Sequence, residues 1–141
     1  MNLIRLTPAK GQDVQTSLFL AKLIGPFLLA IGVGMLANRA SYRAMAEELL
    51  RSRVLIYFAG ILALLPGLAV VLTHNMWTAD WRVLITLIGW LAVFGGLFHI
   101  VFPEQITKMG TAMIAKGNIM TIRGSSMLVL GAALSFFGYS A

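Results

Sequence analysis

Residues 83–102 read VLITLIGWLAVFGGLFHIVF, an uncharged apolar run in which Gly89 and Gly96 lie seven positions apart. Residues 19–38, FLAKLIGPFLLAIGVGMLAN, precede this run by 64 positions and place Gly25 and Gly32 at the same two points. About 20 apolar residues of α-helix cross the hydrocarbon core of a bilayer. The stretch therefore predicts a membrane span that occurs twice in the chain.

Two further apolar segments, residues 54–73 and 124–139, carry the same glycine spacing and are related by the same shift. The complete set is Gly25/Gly32, Gly60/Gly67, Gly89/Gly96 and Gly124/Gly131. Self-similarity at a fixed period indicates a duplicated structural unit. We expect a single membrane domain over residues 1–141, with a polar N-terminal tail (1–16), repeat 1 at about 18–73 and repeat 2 at about 82–138.

The composition also favours lipid as the solvent of this chain. Of its 141 residues, 59% are hydrophobic and 11% are charged, and the mean hydropathy is +0.87. Soluble domains are closer to about 45–50% apolar and about 25% charged. The chain contains no cysteine, which excludes disulfides and thiolate chemistry.

The polar linkers 38–53 and 103–123 show helical periodicity. Each has an apolar stripe at i, i+3, i+7 and i+8, and the two stripes are Tyr42, Met45, Leu49, Leu50 and Ile106, Met109, Met113, Ile114. Such stripes are typical of amphipathic helices that lie in the membrane interface. The alternative is that both stripes pack on neighbouring protein.

These patterns predict an all-α membrane fold with four transmembrane helices. The helices form two parallel-duplicated hairpins, each with an interfacial amphipathic linker helix, in a bundle with pseudo-twofold symmetry. The linker side carries seven Lys and Arg residues and the other side four. The positive-inside rule then places linkers 38–53 and 103–123 in the cytoplasm, and the termini and loop 74–81 in the periplasm.

The paired glycines are candidates for helix packing. Association between helices in lipid depends on close van der Waals contact, which small residues permit. The same faces are compatible with a narrow pore or with a groove that docks another subunit.

The sequence offers two histidines as candidates for ligand binding, and both have an alternative explanation. His74 begins the loop HNMWTADW (74–81), in which Trp77 and Trp81 are expected to be interfacial anchors. It is either part of a satisfied turn or a site for a ligand or lipid headgroup. His99, near the end of the third span, is a candidate ligand of haem or a chlorophyll-type pigment, or a hydrogen-bonding partner of a quinone. Glu104 or water is the alternative partner of His99.

The string from His74 to Leu91 contains Trp-x-x-x-Trp followed by LITLIGWL (84–91). It resembles small bacterial four-helix integral membrane proteins of unassigned function. The resemblance covers the loop and the third span, and it implies a bacterial inner (cytoplasmic) membrane.

We expect a protein that is not an enzyme, because all five acidic residues lie outside the spans and no nucleophile–base pair or phosphate-binding fingerprint is found. No metal and no cofactor are predicted, apart from the haem or pigment alternative at His99. The net charge of +6 comes from basic residues that flank the spans, so no nucleic-acid partner is expected.

The expected partners are the lipid bilayer and other membrane protein subunits, or a second copy of the chain. The preferred function is an accessory, assembly or scaffolding subunit of a larger membrane complex. The alternative is a small transporter or channel that acts as a homo-oligomer, and a weaker alternative is a haem- or pigment-binding subunit that uses His99.

Overall fold

The computed structural model describes residues 10–140, and this part of the chain is a bundle of α-helices. The helices are α1 (Lys10–Ala37), α2 (Arg39–Arg51), α3 (Arg53–Thr73), α4 (Arg82–Val101), α5 (Pro103–Ala115) and α6 (Ile119–Ser140). Four of them, α1, α3, α4 and α6, are long and apolar enough to cross a membrane. This is the arrangement of a multi-pass membrane protein.

Two helices begin earlier than the sequence suggests. Helix α1 begins at Lys10, inside the segment expected to be a polar tail, of which residues 1–9 lie outside the described part. Its polar first turns are helical, and the hydroxyls of Thr16 and Ser17 donate to main-chain carbonyls one turn earlier. Helix α6 begins at Ile119 instead of near residue 124, so its 22 residues span a bilayer comfortably.

The linkers are helices, and sharp joints separate them from the spans. Ser52 has an extended backbone between α2 and α3, and its hydroxyl accepts a hydrogen bond from the N–H of Leu55. Pro103 occupies the first turn of α5, where its missing N–H is not needed. Helices α2 and α5 pack on each other, with Leu50 against Gly110. We call this end of the bundle the linker end, and the end with residues 74–81 the loop end.

The spanning helices associate as two pairs, α1 with α6 and α3 with α4. Each pair joins one helix from the first half of the sequence to one helix from the second half. The length of the linker helices explains this pairing. A 13-residue helix is about 20 Å long, about twice the 8–10 Å between packed helix axes. Helix α2 therefore holds α1 and α3 apart, and α5 does the same for α4 and α6. The short loop 74–81 lets α3 and α4 pack side by side.

The two pairs meet at the loop end through a small apolar core. Leu20 and Ala21 of α1, Ile85 of α4 and Leu134 of α6 are buried together there. The outer faces of the spanning helices remain apolar and exposed, as at Leu72 (81% exposed). Lipid is the natural solvent of such faces.

Candidate functional site

The paired glycines lie where two helix backbones touch. A Cβ on Gly131 would lie 2.6 Å from the main-chain nitrogen of Leu29, and a Cβ on Gly67 would lie 2.8 Å from that of Val93. Real Cβ atoms do not approach backbone this closely, so a side chain at these positions would force the helices apart. Six of the eight glycines make such backbone contacts, and Gly89 and Gly124 pack against side chains of the partner helix. We call the contact between α1 and α6 and the contact between α3 and α4 the glycine seams.

The two glycine seams contain equivalent contacts. A Cβ on Gly32 would meet the backbone of Gly124 and Leu128, and a Cβ on Gly96 would meet that of Gly60 and Leu64. Gly96 follows Gly32 by 64 positions, and Gly60 and Leu64 precede Gly124 and Leu128 by the same number. A second pair of contacts is related by the same shift. A Cβ on Gly124 would meet Met35 and Leu36, and a Cβ on Gly60 would meet His99 and Ile100. The shift seen in the sequence therefore relates one seam to the other in space.

His74 lies at the loop end, where it is buried between helices. It is 2% exposed; its Nε2 lies 2.8 Å from Oγ of Ser17 in α1, and its Nδ1 lies 3.1 Å from Oγ1 of Thr86 in α4. The hydroxyl of Ser17 also donates to the carbonyl of Asp13, and that of Thr86 accepts from the N–H of Met76. No pattern in the sequence connects Ser17 or Thr86 with His74. These contacts make His74 a structural junction of three helices.

Burial lowers the pKa of His74 below its ordinary value of 6.5, because the charged imidazolium loses its hydration. The positive charge of Arg82 acts in the same direction, while a main-chain hydrogen bond and Asp13 act against it. The guanidinium of Arg82 binds Asp80, with 2.7 Å between Nη2 and Oδ2, and this hydrogen bond lowers the pKa of Asp80. The surroundings at the loop end thus favour the neutral form of His74, close to the ion pair between Arg82 and Asp80.

The two tryptophans expected as anchors have different surroundings. Trp77 is 63% exposed, and its indole N–H donates to Oδ1 of Asn75 at 2.9 Å. Trp81 stacks on Phe137 of α6, with ring centroids 5.5 Å apart, and packs against the apolar core. The position of Trp77 suits an anchor at a membrane surface, whereas Trp81 joins the two helix pairs.

His99 lies at the linker end and has a different partner from those the sequence suggested. Its Nδ1 lies 2.7 Å from the carbonyl oxygen of Gly95, one turn earlier in α4. A carbonyl only accepts, so Nδ1 carries the proton, and in the neutral ring Nε2 is left as an acceptor. Glu104 instead forms an exposed ion pair with Arg53. Among residues 10–140, Nε2 of His99 has no hydrogen-bond partner.

A cavity of about 350 Å³ adjoins His99 between the two helix pairs. Helices α4 and α6 form its sides and α2 and α5 cover it, and its lining is mostly apolar. His99 and Arg123 are the ionisable residues in this lining, and methionines 109, 113 and 120 contribute soft side chains. The volume lies in the range of small-molecule pockets, about 300–1,000 Å³. His74, at the loop end, takes no part in this cavity.

Little in the sequence points to this cavity. Arg123 looked like an ordinary basic residue that flanks a span. The signal was its place in the repeat, since Ala59 precedes it by 64 positions just as Met35 precedes His99. Both ionisable residues of the cavity thus depart from the repeat.

Residues 10–140 contain no group of three or more His, Asp or Glu side chains with the geometry to hold a metal ion. Comparison with known proteins gave no match to a family model, to a curated protein or to a solved structure.

Proposed function

We propose that this chain is a non-enzymatic integral membrane protein, built from two duplicated helical hairpins, that acts as an accessory, assembly or scaffolding subunit. The observation that carries the proposal is the equivalence of the two glycine seams. Eight glycines pack closely between α1 and α6 or between α3 and α4, six of them against backbone of the partner helix, and such contacts suit a rigid frame. The glycines already make contacts between helices of this chain. A partner subunit therefore binds the apolar outer faces of the spanning helices.

The exterior supports this role because it is broad and has few polar groups. Leu62, Leu91 and Val129 are each about 70% exposed or more on three different spanning helices, at 72%, 71% and 69%. Faces of this kind pack against lipid or against the helices of another membrane protein. A larger complex would cover part of them.

We further propose that the protein lies in a bacterial inner membrane, with α2 and α5 at the cytoplasmic interface and the loop end in the periplasm. The excess of Lys and Arg at the linker end supports this orientation. A topology reporter fused after residue 141 is expected to read periplasmic. A cytoplasmic reading would overturn the orientation.

The polar groups of the spans weaken the alternative of a small transporter or channel. A translocation path needs polar groups that converge near mid-membrane. Thr86 and Ser17 instead bind His74 at the loop end, and the hydroxyl of Ser126 donates to the carbonyl of Ile122 in its own helix. The placement of these polar groups therefore supports the subunit proposal better than the transporter or channel.

The experiment is purification from native-level expression in mild detergent, followed by mass spectrometry of co-purifying proteins. We expect a partner membrane protein at a fixed stoichiometry. An unrelated four-span membrane protein, expressed at the same level and purified in the same detergent, controls for non-specific association of apolar surfaces. A partner-free homodimer would contradict the subunit proposal and favour the transporter. A Soret or pigment absorption band that is lost in His99→Ala would favour the cofactor alternative.

A further inference from the structure

We propose that the cavity between α4 and α6 at the linker end binds one acyl chain of an anionic phospholipid, with Arg123 and His99 at its headgroup. The occupant comes from the surrounding bilayer. The proposal concerns a site that the frame-building role does not require, so it stands or falls separately from the subunit proposal.

The shape of the cavity favours a flexible apolar chain. The α4 and α6 helices belong to different pairs, and they are held together at the loop end by the stacking of Trp81 on Phe137. At the linker end α5 separates them, and the cavity of about 350 Å³ lies in the resulting gap. Met109, Met113 and Met120 line it, and methionine side chains adapt to irregular and mobile apolar ligands.

The polar groups favour a headgroup that contains both a phosphate and a hydroxyl. The guanidinium of Arg123 matches the geometry of phosphate oxygens, to which it donates two hydrogen bonds. In the neutral ring of His99, Nδ1 donates to Gly95 and Nε2 accepts a hydrogen bond from a headgroup hydroxyl. An apolar cavity with these two groups in its lining matches an amphiphile more closely than a purely apolar molecule.

The surrounding charge favours an anionic occupant. The linker end carries seven basic residues, and its acidic residues are Glu47, Glu48 and Glu104. Two of these acids already form exposed ion pairs, Glu47 with Arg43 and Glu104 with Arg53. The net positive charge concentrates anionic lipids beside the cavity.

The comparison of the two halves shows that the site is specific to one of them. In the other half, Met35 and Ala59 occupy the positions of His99 and Arg123. Tyr42 occupies the position of Ile106, and its ring lies against Gly34, where a Cβ would be 2.5 Å from the tyrosine hydroxyl. In the half that contains α4 and α6, Phe98 stands in place of Gly34 and Ile106 in place of Tyr42, so the aromatic ring comes from α4 and the linker helix contributes an aliphatic side chain. This half also adds the two ionisable groups.

The experiment is native mass spectrometry of the delipidated protein in mild detergent, titrated with dioleoyl phosphatidylglycerol or dioleoyl phosphatidylcholine. We expect one tightly held phosphatidylglycerol, bound about tenfold or more tighter than phosphatidylcholine. Both lipids offer a phosphate to Arg123, but only phosphatidylglycerol has a net negative charge and a headgroup hydroxyl for His99, whereas the choline cation of phosphatidylcholine is repelled by the basic linker end. Arg123→Gln is expected to remove this preference. The matched control, Lys108→Gln, removes one positive charge from an exposed position of α5 and should keep it.

A second variant tests the cavity itself. Ile106→Tyr introduces the residue found at the equivalent position of the other half, and it is expected to abolish the one-lipid adduct while circular dichroism and elution volume stay unchanged. Equal affinity for the two lipids, equal losses in Arg123→Gln and Lys108→Gln, or an unchanged adduct in Ile106→Tyr would each overturn the proposal.

Discussion

At the scale of single residues, the two histidines differ in what surrounds them. His74 has both ring nitrogens next to hydroxyls of other helices, so its environment is closed. His99 hydrogen-bonds through Nδ1 within its own helix, and its side chain lines a cavity. Burial of a neutral imidazole with both nitrogens hydrogen-bonded stabilises a fold, whereas a free acceptor beside an apolar cavity suits a ligand.

The stability of the protein is expected to fall as the pH falls below the ordinary pKa of histidine. Burial lowers the pKa of His74 in the folded state, so the unfolded state takes up a proton first. The contribution of neutral His74 to the stability of the folded state is complete above about pH 6.5. It is lost as the pH falls through the folded-state pKa of His74. Thermal unfolding in detergent, followed by tryptophan fluorescence from about pH 7.5 to about pH 5, measures this slope.

His74→Gln should flatten that slope even if it lowers the stability at every pH. Ser126→Ala is the control, because the hydroxyl of Ser126 donates only to the carbonyl of Ile122 in its own helix, and it should leave the slope as it is in the parent protein. A parent protein whose midpoint temperature does not change over this range would contradict the role assigned to His74.

The residues of the site were only partly predictable from the sequence. His99 is conspicuous because it is ionisable and lies in an apolar span. Arg123 is not conspicuous, since basic residues flank most spans. The partners of His74 could not be inferred either, because Ser17 lies 57 positions away and meets it only through the packing of α1.

At the scale of helices, the apolar periodicity predicts the spans and the linker helices well. The spans predicted at 54–73 and 83–102 agree closely with α3 and α4. The start of α1 differs because local hydrogen bonds extend the helix through polar residues that hydropathy counts as a tail. The start of α6 differs because Arg123 interrupts the apolar run, although the helix already begins at Ile119. The apolar periodicity does not predict which helices pack together, because all four spans carry two glycines with the same spacing.

The glycine seams are expected to tolerate no side chain. Gly131→Ala and the equivalent Gly67→Ala each place a methyl group within 2.6–2.8 Å of the opposite backbone. Overpacking of this kind costs about 1–3 kcal/mol. Reversible unfolding in mixed micelles by increasing SDS measures the loss for both variants.

The control for the seams is Gly95→Ala, at a glycine with no other atom within 4 Å of an added Cβ. Alanine is the better helix former, so this variant should be as stable as the parent or more so. If Gly95→Ala and Gly131→Ala had the same effect, the seams would not be the cause.

At the scale of the whole molecule, two helix pairs meet at the loop end and separate at the linker end. The linker helices cross between the pairs, because each connects a helix of one pair to a helix of the other. This arrangement leaves the cavity beneath the linkers and buries the junction at His74 at the opposite end. The frame and the proposed lipid site are therefore consequences of one packing pattern.

The central claim is that the seams join α1 to α6 and α3 to α4, and paired cysteines test it most directly. Met35→Cys with Gly124→Cys and the equivalent His99→Cys with Gly60→Cys join positions whose Cβ atoms would be 3.1 and 3.0 Å apart. The parent chain has no cysteine, so a PEG-maleimide reagent, applied after oxidation in membranes and denaturation, reports each disulfide without background. The control pairs use the same four positions, as Met35→Cys with Gly60→Cys and His99→Cys with Gly124→Cys. We predict that the first two pairs become protected from the reagent and that the control pairs gain two PEG groups. Protection of the control pairs, with labelling of the first two, would contradict the account.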